Sequence, residues 1–598
     1  MASLWKRPKV EQSAISDGSH ETPVVYQNDK NPATVNSFGA REDDNVLGGM
    51  SLSGDVPDGI RKAQATTIAW TRKALIISYG LIFLIFFINS LQQQTTNNLS
   101  IYVTSDFMKA PLVSTTGIVS TLIAGIIKLP VAKLMDIWGR PQGFILMLSC
   151  AELGLVLMAV CRNVETYAAA QVFYWIGFNG IAYVLDVFIA DTSSLVWRGL
   201  MFAFANSPYI ATTFAGPAAA QSFLRTSGWR WAFGTYAIVT PFMCVPFLWV
   251  FVYNEKQAKR QGILVHRREA SGRSWIQSLN HYVIEFDLVG VILLCAGWAL
   301  ILLPFSLVNY QAARWRSAPI VSMLVIGGCC LIGFIVYERF FAKKSFLPFY
   351  LLIDRTVLGS CLLAGTLFLS FYCWDLYLSQ YLQVVFDLSI RDAGYIVNIY
   401  SIGSCFWGIL VGLAIRYSGR FKWLAMSAVP LQILGTGLMI YFRQPHHNIG
   451  YVIMCQIFIA FSGGTLVVTE EIAIMAAVGP ENVAVALALQ ALFTAIGGAI
   501  GTSISGAIWT NTVPNRLVEY LPESAKGNAT EIYSSIYIAL SYPVGSPERD
   551  AIIKAYAVAQ RYMTITGTAV LVLALLWVAV WRDIKVKDFR KTANQTIL

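Results

Sequence analysis

Five acidic residues lie inside apolar runs of this sequence and away from their ends: Glu152 in 142–161, Asp186 in 167–190, Asp375 in 356–383, and Glu470 with Glu471 in 449–477. A charged carboxylate in hydrocarbon costs on the order of 2.5 to 3.5 kcal/mol even on the gentler scales, so one that persists there is paired, neutral or in use. The use open to it is proton carriage, in which a carboxyl takes up a proton at one face of a membrane and releases it at the other. Asp186, Asp375 and Glu470 are the proton-coupling candidates. Adjacent helical residues point about 100° apart, so Glu470 and Glu471 cannot both face one cavity. Glu152 ranks below them.

A second set of residues suits binding. The stretches I-N-S-L-Q-Q-Q-T-T-N-N (88–98) and Y-C-W-D-L-Y-L-S-Q-Y-L-Q (372–383) close two apolar runs and are too polar to face lipid. Both belong on the wall of a shared cavity. The substrate-binding candidates on these and neighbouring helices are Asn89, Gln92 and Gln93, then Tyr174, Asn179 and Tyr183, then Asn206 and Tyr209. In the second half of the chain they are Tyr372, Trp374, Tyr377, Gln380, Tyr381, Asn398 and Tyr400. The amides carry the stronger signal, because hydrocarbon offers them no partner. Any one aromatic reads equally as packing or as part of an interfacial belt.

Other chemistries find little support. The five histidines all lie outside the spans, and no Cys, His and Met cluster has metal-ligand spacing, so neither a bound metal nor a cofactor is expected. The ten cysteines lie in or beside apolar runs, which implies no disulfide framework. With no Walker loop, no nucleophile elbow and no intramembrane His-Asp pair, an enzyme is not expected.

The elements that position these residues are membrane helices. At 56% hydrophobic and 13% charged, with a mean hydropathy of +0.56, the chain cannot cover a soluble surface. Apolar runs long enough to cross about 30 Å of hydrocarbon fall at 74–95, 112–134, 142–161, 167–190, 200–223, 232–253, 288–308, 319–338, 356–383, 391–415, 423–442, 449–477, 483–509 and 560–581. These are numbered helices 1 to 14, and they define an all-α polytopic membrane protein. With the N-terminus inside, the inner segments hold most of the 44 Lys and Arg, including Lys256, Lys259, Arg260, Arg267, Arg268 and Arg273 in one loop. This asymmetry assigns both termini to the cytosol. The net charge of +10 therefore reads as sidedness and implies no nucleic-acid partner. Residues 1–72 are expected to be a disordered cytosolic tail without a signal peptide, helix 1 serving as the targeting signal. Lys6, Lys9, Lys30 and Lys62 offer the ubiquitin machinery attachment points, although a plain solvated tail accounts for them as well.

An internal repeat organises the rest. Residues 132–140, A-K-L-M-D-I-W-G-R, are echoed about 280 positions later by G-L-A-I-R-Y-S-G-R at 412–420. The same offset lays Asp191 on Glu471 and brings Gly216-Pro217 near Gly497. Helices 1 to 6 (residues 73–253) thus match helices 9 to 14 (355–581), with a basic linker at 254–286, an inserted pair, helices 7 and 8, at 287–354, and a tail at 582–598. Two bundles meeting at the bilayer midplane are the architecture of a secondary transporter. For Asp191 and Glu471 the plain reading is an inner-gate ion pair with Arg140, Arg198, Arg416 or Arg420. The polar loop 510–560 reads as a connector carrying a short amphipathic helix over the cavity mouth, and Asn528 in Asn528-Ala529-Thr530 is a glycosylation acceptor.

Asp136, Gly139 and Arg140 resemble the loop signature of the major facilitator superfamily, in which the glycine permits a tight turn and the charged pair forms gate contacts. Ala132 and Pro141 depart from the usual first glycine and a later basic residue. K-L-P-V-A-K-L-M-D-I-W-G-R-P (128–141), G-F-N-G-I-A-Y-V-L-D-V-F-I-A-D-T-S (177–193), and S-Y-P-V-G-S-P-E-R-D (541–550) followed by A-Q-R-Y (559–562) together resemble the fungal siderophore-iron transporters. The resemblance spans residues 70–590. It implies the major facilitator fold in its fourteen-helix form, and proton-coupled import of intact ferric hydroxamate siderophores at the plasma membrane or an endocytic vesicle, by a monomer. Two other readings stay open. A fourteen-helix drug/proton antiporter shares the frame, but of its helix 5 glycine signature only Gly216-Pro217 is present. A non-transporting nutrient receptor commonly carries a longer signalling tail.

Overall fold

The computed structural model of the chain describes residues 70–192, 201, 204–260, 277, 283–284, 287–308, 311, 313–342, 349–478 and 483–585. The tail calls, Arg198 and most of the basic linker lie outside the described residues, as do the side chains of Asp136 and Arg416. Among the described residues twelve helices are long and apolar enough to cross a membrane, with Ala110–Ile126 a shorter apolar helix. Together with Pro208–Thr226 they make the fourteen passes read from the sequence.

The first half comprises α1 (Arg72–Asp106), α2 (Val113–Ile126 continued by Lys128–Trp138), α3 (Arg140–Val160), α4 (Val164–Thr192), α5 (Pro208–Thr226) and α6 (Trp229–Arg260). The inserted pair is α7 (Leu288–Leu307) and α8 (Ala318–Phe340). The second half comprises α9 (Arg355–Asp375 and Leu378–Val385), α10 (Ile390–Ser418), α11 (Lys422–Phe442), α12 (Ile449–Ala477), α13 (Val483–Tyr520) and α14 (Pro547–Val570 and Val572–Val580). Among the described residues the only β pairing is an isolated bridge between Arg420 and Lys585.

Local chemistry sets the boundaries. Asp354 caps α9 by accepting from the Thr356 and Val357 N–H groups, Ser389 caps α10, Asn448 caps α12 and Ser546 caps α14. Pro130 supplies no N–H to the Ile126 carbonyl, which accounts for the break in α2 at Ile127. The two echoed loops turn on glycines with positive φ, Gly139 at 110° and Gly419 at 70°, where a side chain would be strained. The repeat thus keeps a glycine of positive φ at each turn, while ψ differs, 163° at Gly139 and 9° at Gly419.

Two helices run farther than the sequence suggests. α13 continues to Tyr520 and α14 starts at Pro547, so the loop that the sequence suggests over 510–560 is confined to 521–546. The added turns are polar but helical, stabilised by the Arg516–Glu519 ion pair and by Glu548 and Asp550 in the first turn of α14. Apolarity marks the membrane, and a helix does not end where the membrane does.

The halves meet along α2 and α13. Small residues allow the close approach that membrane interfaces favour: a Cβ at Gly125 would lie 2.2 Å from Ala495 Cβ, and one at Gly506 would lie 2.6 Å from Ser114 Oγ. α7 covers this seam, where Ser503 donates to the Leu302 carbonyl at 3.0 Å and Ser114 to Ser306 at 3.0 Å. Within the second half, α13 lies against α9 so tightly that a Cβ at Gly497 would sit 2.0 Å from the Gly365 carbonyl oxygen. Overpacking of this kind costs about 1–3 kcal/mol or more. Gly497→Leu is accordingly expected to lower surface abundance and melting temperature, read by surface immunolabelling and a thermal-shift assay, whereas the same change at Gly412, with nothing within 4 Å, leaves both near wild type.

Candidate functional site

A cavity of about 350 Å³ lies between the halves, nearer the end that carries loop 521–546. α1 presents Gln93, Asn97 and Ser100, one helical face at i, i+4 and i+7. α4 presents Gln171, Trp175 and Asn179 at the same kind of spacing, α2 adds Thr116, Ser120 and Thr121, and α10 adds Asn398. From α9 come Tyr372, Asp375 and Ser379. Asp375 is the one charged residue among the described lining residues. The surface is therefore amide, hydroxyl and aromatic around a single carboxyl.

The polar side chains are held in place by local bonds. Trp175 Nε1 donates to Gln171 Oε1 at 2.7 Å, and Asn179 Nδ2 donates to the Trp175 carbonyl at 2.8 Å. Asn98 Nδ2 donates to the Gln94 carbonyl at 2.7 Å, and Thr121 to the Gly117 carbonyl at 2.7 Å. Groups tied this way lose little further rotamer freedom when a ligand arrives.

At the loop end the halves are bridged. Tyr102 of α1 donates to Gln383 of α9, and Tyr377 donates to the Pro111 carbonyl at 3.0 Å. Asn398 Nδ2 donates to the Thr213 carbonyl at 3.3 Å, and the Arg391 N–H to Gln221 Oε1 at 3.3 Å. The loop joins in through two short helices, Ala529–Ser534 and Ile536–Ser541. The Ile536 N–H donates to Ser105 Oγ at 3.1 Å, and Tyr537 meets Tyr102 edge-on at 5.3 Å. Arg549, 1% exposed, holds that loop by donating to the Ala539 carbonyl at 2.7 Å. The sequence suggests a cavity open at this end. Here it is bridged, because aromatic and amide residues read as lining bond to the opposite half instead.

Of the sequence-derived binding candidates, Gln93, Asn179, Tyr372 and Asn398 line the cavity. The others have separate surroundings. Gln92 accepts from Thr240, and Asn89 is 4% exposed in the interior of the first half. Tyr174 packs on Trp175 and Phe178, and Tyr183 and Tyr209 border the inner core of the first half. Asn206 is exposed. Trp374, Tyr377 and Tyr381 belong to a core cluster that also takes in Tyr102 and Val113 of the first half, with Tyr377 stacked on Trp509 at 4.4 Å, and the buried Gln380 donates to Tyr556. Tyr400 packs beside Phe371.

The carboxyls are dispersed. Asp375 faces the cavity, while Asp186 of α4 and Glu470 of α12 lie elsewhere, each with one buried oxygen lacking a hydrogen-bond partner among the described residues. Glu152 does the same on α3. Arg140 pairs with Asp191 at 3.2 Å inside the first half, and Arg420 with Asp583 at 3.8 Å inside the second. Glu471 is exposed on α12 without an ion pair among the described residues. Trp229 at the start of α6 is 5% exposed and donates to Asp106, while Trp231 is 60% exposed.

Residues missed from sequence had signals of unequal strength. Gln94, Asn97 and Asn98 fall inside the polar stretch already noted, and Gln171 with Trp175 continue the i, i+4 row that ends at Asn179. The α2 hydroxyls carried none, since Ser and Thr in membrane helices usually satisfy themselves on their own backbone.

Comparison with known proteins gives the family and the fold. The Major Facilitator Superfamily pattern matches residues 82–502. An MFS siderochrome iron transporter of Ajellomyces capsulatus is 56% identical over 91% of this chain and 93% of its own length. A second, from Aspergillus fumigatus, is 46% identical over 96% and 94%, and a siderophore iron transporter of Emericella nidulans is 40% identical over 97% and 96%. Among solved structures, a bacterial homologue of the lysosomal transporter Spinster covers 86% of this chain and 97% of its own, with a TM-score of 0.53 at 12% identity. A peptide transporter aligns at a TM-score of 0.52 and 13% identity over 84% and 95%. At such identities the solved structures speak for the fold alone. Two matched halves around a polar cavity, the superfamily pattern and relatives at 40% identity or more over nearly their whole length lead to one conclusion: this chain belongs to the major facilitator superfamily and, within it, to the fungal siderophore-iron transporters.

Proposed function

We propose that this chain imports intact ferric hydroxamate siderophores, of the fusarinine or ferrichrome type, by alternating access, each molecule entering with a proton. The observation that carries the reading is the cavity wall, with its amides, hydroxyls and rings and the single carboxyl of Asp375. A ferric tris-hydroxamate sets three anionic groups against Fe³⁺, so it is neutral and sheathed in amide and hydrocarbon. Amide donors and ring faces suit it, and a metal-ligand cage does not. Among the described residues no group of three or more His, Cys, Asp or Glu is placed to hold a metal ion. The names of the full-length relatives agree with this cargo.

A neutral cargo gives the membrane potential nothing to act on, so accumulation needs a companion charge worth about 2.3 kcal/mol per 100 mV. Asp375 is the candidate with access to the cavity and is assigned the proton. The protein works at the plasma membrane with loop 521–546 outside, and the Arg140–Asp191 pair secures the inner end of the first half. On this topology the exposed Asn528 is glycosylated, and Asn528→Gln removes a glycosidase-sensitive mobility shift; an unchanged band places the loop on the other side.

The test of function is uptake of ⁵⁵Fe-labelled ferrichrome, triacetylfusarinine C and ferrioxamine B into iron-starved yeast lacking its own siderophore carriers. The expected result is saturable uptake of at least one, abolished by a protonophore while surface binding survives. Protonophore-resistant accumulation overturns the coupling. No uptake despite protein at the surface overturns the import reading and favours drug export.

A further inference from the structure

α9 breaks after Asp375 and resumes at Leu378, yet residues 375–378, Asp-Leu-Tyr-Leu, contain neither proline nor glycine. Sharp helix breaks have identifiable causes, and one is a side chain inserted into the hydrogen-bond ladder. That side chain is Arg443, which follows the last turn of α11. Its Nη2 donates to the Trp374 carbonyl at 2.9 Å, the oxygen that a continuous helix would give to the N–H of Leu378. The same residue holds the second segment of α9, because Tyr381 donates to the Arg443 carbonyl at 2.9 Å. The guanidinium carbon lies 5.9 Å from the Trp374 ring centre and 5.4 Å from that of Tyr381. One residue therefore bonds both pieces of the broken helix.

This arginine is 1% exposed, and its Nε and Nη1 have no hydrogen-bond partner among the described residues. A buried guanidinium left so incompletely bonded is costly. Asp375 sits at the break with its Oδ1 likewise unbonded, and its charge interacts with that of Arg443. No ion pair joins them in this conformation. Two free donors of the guanidinium, at Nε and Nη1, and a carboxyl with a free oxygen are the partners of a charge-assisted hydrogen bond. The other titratable groups in electrostatic reach are Tyr381 on the outer segment of α9 and Cys455 on α12 for the guanidinium, and Tyr372 and Tyr400 for the carboxyl, with Glu470 beyond Tyr400. Arg443 is the cation of the group.

The outer segment Leu378–Val385 also carries Gln383, whose side chain takes the Tyr102 bond across the halves, and Gln380, bonded to Tyr556 of α14. We propose that Arg443 is a positioning residue that couples the charge of the cavity carboxyl of Asp375 to the opening of the bridged loop end. When Asp375 is anionic it moves onto a free N–H of Arg443, the break at Leu376 and Tyr377 re-angles, and Leu378–Val385 withdraws Gln383 from Tyr102. When Asp375 holds a proton the pair dissolves, the guanidinium keeps the Trp374 carbonyl, and the bridge closes as it stands here. This gives the proton of the proposed function a mechanical consequence, and it rests on that reading only for where the proton comes from.

The experiment measures the gate without transport. Ser100→Cys places a thiol on the cavity wall, and its rate of modification by a membrane-impermeant maleimide applied from the side of loop 521–546 is read in full-length protein, with the unsubstituted chain as background. Asp375→Asn, unable to form the pair, is expected to slow modification at least five-fold, and Arg443→Gln to slow it similarly. The double variant is no slower than either single one, since both remove the same interaction, and Arg443→Lys recovers most of the rate. If Arg443→Gln fails to reach the membrane, Arg443→Lys carries the cycle and should remain sensitive to Asp375→Asn. Unchanged labelling in Asp375→Asn at normal abundance, or effects that multiply in the double variant, overturn the coupling. Since labelling needs neither siderophore nor proton gradient, slowed labelling with protonophore-resistant uptake refutes only the proton-driven reading, and proton-driven uptake with unaltered labelling refutes only the coupling.

Discussion

Asp375→Asn is expected to abolish uphill accumulation of siderophore iron while exchange of internal for external siderophore persists, slowed about as much as the opening of the loop end. The carboxyl faces the cavity and is the one charged group among its described lining residues, so its replacement removes the proton but little of the binding surface. At 100 mV one positive charge is worth about 2.3 kcal/mol, and each 1.4 kcal/mol is tenfold, so a potential-driven ratio of about fifty should fall to about one. The measurement compares the accumulation of ⁵⁵Fe-siderophore with counterflow in preloaded vesicles. Accumulation that persists in Asp375→Asn moves the proton to Asp186 or Glu470. Complete loss of counterflow as well as accumulation assigns Asp375 to binding the ligand rather than to coupling.

The second large effect is expected at the bridge between the halves. Gln383→Leu leaves the buried Tyr102 hydroxyl without its acceptor, and Tyr102→Phe leaves the amide without its donor. An orphaned buried polar group costs about 1–3 kcal/mol, enough to shift the equilibrium between open and bridged loop ends by roughly 5- to 150-fold. Either variant should bind siderophore from the loop side at least as well as the parent while its maximal uptake rate falls at least five-fold. Combining them should add little, because the two residues share one bond. Normal uptake rates in both single variants would show that Tyr102 and Gln383 form no part of the gate.

These expectations rest on different parts of the chain's legibility. The number of passes, the matched halves and the inserted pair were readable from the sequence, because span length and apolarity are fixed by the bilayer and need no knowledge of neighbours. The glycine turns of the repeat were readable for the same local reason, and Gly139 and Gly419 both have positive φ. The polarity of 88–98 and 372–383 identified α1 and α9 as helices that do not face lipid. Which residue on those helices meets the cavity was not readable. Gln92 and Gln93 differ by one position and about 100°, and one bonds to Thr240 in the interior of the first half while the other lines the cavity.

Arg443 marks the limit most clearly. In sequence it follows an apolar run, where an arginine reads as an interfacial charge, and nothing local links it to a carboxylate sixty-eight positions earlier. Only the packing of α11 against the break in α9 brings its guanidinium to the Trp374 carbonyl. The sequence by itself determined the membrane class, the repeat and the family, because each follows from composition, period or local pattern. The tertiary structure alone decided which polar side chains share a cavity and which close its end, since those depend on helix rotation and on contacts between residues far apart in the chain.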